Sequence, residues 1–238
     1  MVDPMAPEEL DPLPAPVARY FRRVLPDGQR AIARARVRQT GEFLMRPTAE
    51  GWRPFEAVET FTCSPPGFLW DARIRLMPGL RVHVVDSFRD GQGSMRATLL
   101  GLVTLASARG TPEVAAGSLH RYLAEAVLLP TALLPSGGVR WLALDDGAAR
   151  ASLSVGATTV TLDFRFGTDG LVESVFTPAR MRDVKGHAVP TAWQGRWSDY
   201  ESCDGVLVPR RGEVEWLLPE GPQVYWRGRM DDVAFDYA

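Results

Sequence analysis

The segments of this chain that alternate apolar and polar residues are joined by turns too short for a parallel crossover. Strand signals recur at 54–63, 67–76, 80–89 and 94–105, separated only by Ser64-Pro65-Pro66, Met77-Pro78-Gly79 and Asp90-Gly91-Gln92-Gly93. A parallel connection needs roughly a dozen residues, so these strands run antiparallel as a meander. Upstream, Ala33, Ala35 and Val37 alternate with Arg34, Arg36 and Arg38, the pattern of a strand with one solvated face. Downstream, strands are expected at 139–144, 151–155, 158–166, 171–176, 193–203, 206–218 and 223–235. Val160, Leu162, Phe164 and Phe166 share one face, and Gly167-Thr168-Asp169-Gly170 turns that strand into the next. The polar stretch 178–192 reads as a loop or flap.

Two helices interrupt the pattern. Over 16–25, Val17, Tyr20, Phe21 and Val24 recur at helical spacing with Arg22 and Arg23 opposite, before Pro26-Asp27-Gly28 ends the run. At Thr111-Pro112-Glu113 a capping threonine, a proline in the first turn and an acidic residue announce the longer helix. Ala115, Leu119, Tyr122, Leu123 and Ala126 form its apolar stripe, Pro130 stops it, and it is expected against the open face of the sheet. The proline-rich stretch 1–16 is expected to be a flexible lead to a single domain over 17–238.

A chain of 238 residues supports one large core, and 45% hydrophobic with 24% charged residues is ordinary for a globular protein. The formal net charge of −2 gives no basic field for nucleic acid. No run is apolar and long enough to span a membrane, and the lead lacks the pattern of an export signal, so a cytoplasmic location is expected. Cys63 and Cys203 stand in no C-x-x-C or Cys/His cluster and read as small buried hydrophobes, with a disulfide left open.

Signatures of known chemistry are missing from the sequence. There is no G-x-S-x-G elbow, and His83, His120 and His187 stand singly rather than at metal-ligand spacing. Gly91 and Gly93 do not extend to G-x-G-x-x-G, since Arg96 holds the third position. Neither a metal nor a cofactor is expected. The denser feature is aromatic: the chain has 7 tryptophans, nearly all on expected strands, where they suit either a sheet core or a ligand cavity. Arg121 and Glu125 lie one helical turn apart and can simply pair.

Further residues carry a family resemblance. Phe68-Leu69-Trp70-Asp71-Ala72, Asp86, Gly91-Gln92-Gly93 and the string from Leu119 through Arg121, Tyr122 and Glu125 to Ala126 with Pro130 resemble an uncharacterised bacterial domain-of-unknown-function family (DUF6544/DUF6920-like). Trp141, Arg180, Trp193, Asp199-Tyr200 and Tyr225-Trp226 fit it as well. That family is similar in fold to the outer-membrane lipoprotein carriers (LolA/LolB-like). The resemblance implies an α+β, mainly antiparallel β fold: a strongly curved half-barrel whose concave face is covered by a central helix and the short N-terminal helix, with an apolar cavity between. It implies no activity.

Three functional readings follow. The first is a non-catalytic binding module that holds an apolar or lipid-like small molecule on Trp70, Arg121, Tyr122, Glu125, Trp141, Arg180, Trp193, Tyr200 and Trp226, with an arginine at 121, 180 or 182 meeting an anionic head group. The second is an enzyme of unknown reaction, in which Arg121, Glu125, Asp199 and Tyr200 converge as an acid/base cluster. The third is a structural or partner-binding domain, recognisable by a large exposed apolar patch.

Overall fold

The computed structural model describes residues 9–238, apart from the side chain of Ala49. Helix α1 spans Ala15–Val24 and helix α2 Pro112–Glu125. The strands are β1 (Ile32–Leu44), β2 (Trp52–Thr62), β3 (Gly67–Met77), β4 (Leu80–Arg89), β5 (Gln92–Leu99), β6 (Val103–Arg109), β7 (Arg140–Asp145), β8 (Ala148–Val155), β9 (Thr158–Phe166), β10 (Val172–Val184), β11 (His187–Cys203), β12 (Val206–Leu218) and β13 (Gly221–Tyr237). All pair antiparallel in one 13-stranded sheet of order β6-β5-β4-β3-β2-β1-β13-β12-β11-β10-β9-β8-β7. The sequence therefore forms two meanders, β1 to β6 and β7 to β13, and the last strand closes against the first.

The sheet is strongly curved around α2. That helix packs against β4, β5 and β6 near one edge of the strand order and against β9 and β10 towards the other. A flat sheet cannot touch one helix from both ends, so this is a half-barrel with the helix inside it. Thr111 caps α2 through its side-chain oxygen, which accepts from Val114 N at 3.3 Å. Leu119, Tyr122 and Leu123 are buried against the concave face. Helix α1 buries Val17, Tyr20, Phe21 and Val24 in the same core, and the Tyr20 ring lies 5.8 Å from that of Phe166.

Curvature has a local cause. Gly41, Gly228 and Gly212 stand side by side on β1, β13 and β12, flanked in the same register by Phe55 and Trp197. A Cβ on Gly41 would meet the Arg227 carbonyl at 2.1 Å, and one on Gly228 would meet the Trp226 ring at 2.5 Å. With no side chains along this row, the sheet can crease inward and aromatic rings lie directly on its backbone.

Two expectations are corrected here. The expected strand 94–105 is two strands, because Leu100 (φ 52°) and Gly101 (φ 75°) make a left-handed turn at its centre; leucine there gives no turn signal. The expected flap 178–192 is instead the far end of the β10–β11 hairpin. Val184 pairs with His187 across Lys185 and Gly186, both at positive φ as a two-residue hairpin turn requires.

Residues 1–8 of the expected lead lie outside the described residues. Beyond them, Leu10 is buried in the core and Glu9 accepts from Ser136 N at 2.7 Å. Cys63 and Cys203 are free and half-buried, and the Cys203 thiol donates to the Val233 carbonyl.

Candidate functional site

Antiparallel register lays Glu59, Trp70 and Asp86 side by side across β2, β3 and β4 on the concave face. Arg121, on the sheet-facing side of α2, descends onto this row. Its guanidinium lies 5.1 Å over the Trp70 ring and 4.7 Å over that of Phe68. Nη2 donates to Glu59 at 2.7 Å, Nη1 to Asp86 at 2.9 Å, and Nε to both oxygens of Glu125 at 3.0 and 3.1 Å. Each guanidinium nitrogen is thus matched to a carboxylate.

A second layer holds the first. Trp70 Nε1 donates to Gln39 Oε1 at 2.8 Å, which turns the amide nitrogen of Gln39 towards Glu59 Oε2, also at 2.8 Å. Glu59 has no solvent exposure. Burial pushes its carboxyl well above the ordinary carboxylate range; Arg121 opposes the shift, and the neighbouring Glu125 adds to it. Burial alone would weaken the charge on Arg121, but Glu125, Glu59 and Asp86 more than restore it. Among the described residues, no cluster of three histidine, cysteine or acidic side chains is arranged to hold a metal ion.

This cluster forms one wall of a cavity of about 360 Å³ between α2 and the sheet. Apolar walls come from Phe43, Ile74, Val82, Val84 and Ala97, and aromatic ones from Trp70, Trp193, Tyr225 and Trp226. Arg180, from β10, enters opposite the cluster, with its guanidinium 4.8 Å over the Trp193 ring and 5.6 Å over that of Trp216. His120, on the buried side of α2, is pushed down to about 4, first by burial and then by Arg180, and stands neutral at pH 7.

Of the residues singled out from sequence, Trp70, Arg121, Glu125, Arg180, Trp193 and Trp226 line this cavity together. Tyr122, Trp141 and Tyr200 do not. Tyr122 donates to the Thr62 carbonyl, Trp141 to that of Leu133 and Tyr200 to that of Val172, each within core packing. The expected acid/base cluster does not converge either, since Asp199 is drawn to Arg211 at 2.7 Å on the exposed face.

Glu59, Gln39 and Asp86 were not among the candidates. Their signal was available, because Phe55-x-Ala57-x-Glu59-x-Phe61 and Val82-x-Val84-x-Asp86-x-Phe88 each place an acid on the apolar side of a period-two pattern. A wider concavity of about 790 Å³ lies behind Gly41, Gly212 and Gly228 on the convex face. Most of the charges on its walls are paired, as Arg227 is with Glu42 and Arg211 with Asp199.

Residues 11–235 match the model of a family of unknown function, DUF6920. The chain belongs to that family. No curated protein matches this DUF6920 member. Among solved structures, one described as an outer membrane lipoprotein-sorting protein domain from Vibrio parahaemolyticus is similar over 86% of this chain and 86% of its own, at 9% identity and a TM-score of 0.47. A LolA superfamily protein from Nitrosomonas europaea is similar over 94% of this chain and 93% of its own, at 11% identity and a TM-score of 0.46. The expected cytoplasmic location is corrected by these comparisons: a lipoprotein-sorting description for the outer membrane conflicts with it. No helix among the described residues is long and apolar enough to cross a membrane.

Proposed function

We propose that this DUF6920 protein is a binding module that takes an apolar, lipid-like small molecule into the cavity between α2 and the concave face. The observation that carries the reading is the cavity's lining: about 360 Å³ walled by Phe43, Ile74, Val82, Trp193 and Trp226, with a minority of polar groups from Asp86, Arg121, Glu125, Arg180 and Tyr225. Specific small-molecule sites are commonly concave, mostly apolar, about 300–1,000 Å³ and equipped with a few placed polar groups. A site meant only for packing would be filled, since protein interiors leave few voids larger than a water molecule.

Rigidity supports the same reading. The Arg121 cluster ties α2 to β2 and β4, so the cavity is held open by a satisfied polar network rather than by loops. Binding of the neutral apolar dye Nile red to purified protein tests the reading, with Ala97→Trp as the blocked comparison. Ala97 sits in the cavity wall between Val84 and Ala106, and an indole there occupies the space. Saturable dye binding that Ala97→Trp abolishes is the expected result; dye binding unchanged by the substitution would contradict it.

A further inference from the structure

The two arginines of the cavity differ in one respect. Every nitrogen of Arg121 already meets a carboxylate. Arg180 meets none among the described residues: Nη1 donates to the Tyr225 hydroxyl at 3.1 Å, Nη2 donates to the Gly117 carbonyl at 3.1 Å, and its buried Nε has no partner. An arginine held over two tryptophan faces with only neutral acceptors is a cation without its counter-charge, which is costly beside apolar walls.

Tyr225 points to the same need. Its oxygen accepts from Arg180 and also from Trp193 Nε1 at 2.9 Å. Both lone pairs are then in use, and the hydroxyl proton has no acceptor among the described residues. Tyr225 is fixed in place by stacking on Trp216, with ring centroids 5.7 Å apart. Unpartnered N–H groups of Arg180 and the unpartnered O–H of Tyr225 therefore stand together at a cavity wall, all of them donors.

We infer that the cavity selects an amphiphile ending in a single anionic group, a carboxylate or a phosphate monoester, which accepts from the free guanidinium N–H groups of Arg180 and from the Tyr225 hydroxyl while the chain lies along Phe43, Ile74 and Val82. This rests on the cavity reading above and adds the class of ligand. Arg180 touches α2 at Gly117, four residues before Arg121, a separation of about 6 Å along the helix. The anion thus sits about a turn away from Arg121, which offsets one of the two negative charges of Asp86 and Glu125.

The test is displacement of Nile red by dodecanoate, dodecyl phosphate and dodecanol, which share one chain length, each kept below its micellar concentration. The native chain is expected to bind at least one anion about tenfold or more tightly than the alcohol, the range of a charge-assisted hydrogen bond. An advantage for only one anion supports the inference and names the group. Arg180→Met should erase the advantage and leave dodecanol binding in place, whereas Arg150→Met, at an arginine paired with Asp163 outside the cavity, should keep both. Should Arg180→Met lose dodecanol too, Tyr225→Phe carries the test by narrowing the gap between anion and alcohol.

Dodecanol binding as well as both anions in the native chain would overturn the anionic subsite and leave the apolar cavity reading standing. An advantage that survives Arg180→Met, or a gap that Tyr225→Phe leaves unchanged, would also overturn it. If none of the three displaces the dye and the dye itself does not bind, the cavity reading fails and this inference with it.

Discussion

Arg121 donates through Nη2 to Oε1 of Glu59 at 2.7 Å, tying helix α2 to the middle of the sheet across 62 positions of sequence. Because Glu59 is fully buried and Arg121 nearly so, the pair acts as a structural pin whose halves depend on each other. Truncating one partner strands the other in a low-dielectric interior.

Arg121→Met should therefore destabilise the fold by about 3–5 kcal/mol, the cost of leaving a buried charge cluster uncompensated. Adding Glu59→Gln should recover part of that loss, since one of the stranded acids is removed. Urea denaturation of both single variants and the double variant checks this; strictly additive effects would show that the residues are not coupled.

Glu59 also makes stability depend on pH. Its native carboxyl is raised above the unfolded value of about 4.3, so the folded chain binds its proton where the unfolded chain does not. The sign follows: its contribution is complete below about pH 4 and is lost as pH rises through the raised native value. Glu59→Gln has no proton to lose, so between about pH 5 and about pH 8 the variant should gain on the native chain in denaturation midpoint. A difference that stays constant with pH would count against this account.

The glycine row should be intolerant of the smallest side chain. Gly41→Ala places a Cβ 2.1 Å from a main-chain carbonyl that no rotamer can move, so a loss of about 3 kcal/mol is expected, at the top of the usual range for overpacking. Gly117→Ala is the contrast, because its Cβ meets nothing within 4 Å on α2 and should stabilise by up to about 1 kcal/mol through helix propensity. Thermal melts of the two variants decide between them.

Helix α2 depends on its cap. Thr111→Ala removes the side-chain acceptor for Val114 N and should cost about 1 kcal/mol. Amide hydrogen exchange should then quicken in the first turn of α2 and less so around Arg121, where the carboxylates pin the helix. Uniform acceleration along α2 would show that the Arg121 cluster does not anchor it.

Much of this architecture was readable because short turns force antiparallel neighbours and a period of two separates the faces. The Thr111-Pro112-Glu113 start of α2 and the apolar stripe beneath it were explicit for the same local reason. The turn at Leu100 was missed because a leucine in the left-handed region is dictated by the hairpin and not by its own preference. The flap at 178–192 was misread because an exposed hairpin tip needs no apolar alternation.

At the site, Trp70, Trp193, Trp226 and Arg180 were found by residue type. Tyr122, Trp141 and Tyr200 are chemically equivalent candidates that the helix face, for Tyr122, and the strands, for the other two, turn into core packing. Glu59 and Asp86 meet only when β2, β3 and β4 align, so their partnership with Arg121 is a property of the register.

Whether the cavity under α2 holds an apolar ligand is decided by native mass spectrometry of freshly purified protein, followed by solvent extraction of what it carries. A stoichiometric co-purifying amphiphile that is absent from Ala97→Trp prepared in parallel is expected. A clean apo mass for the native chain, together with no uptake of Nile red on titration, would contradict it.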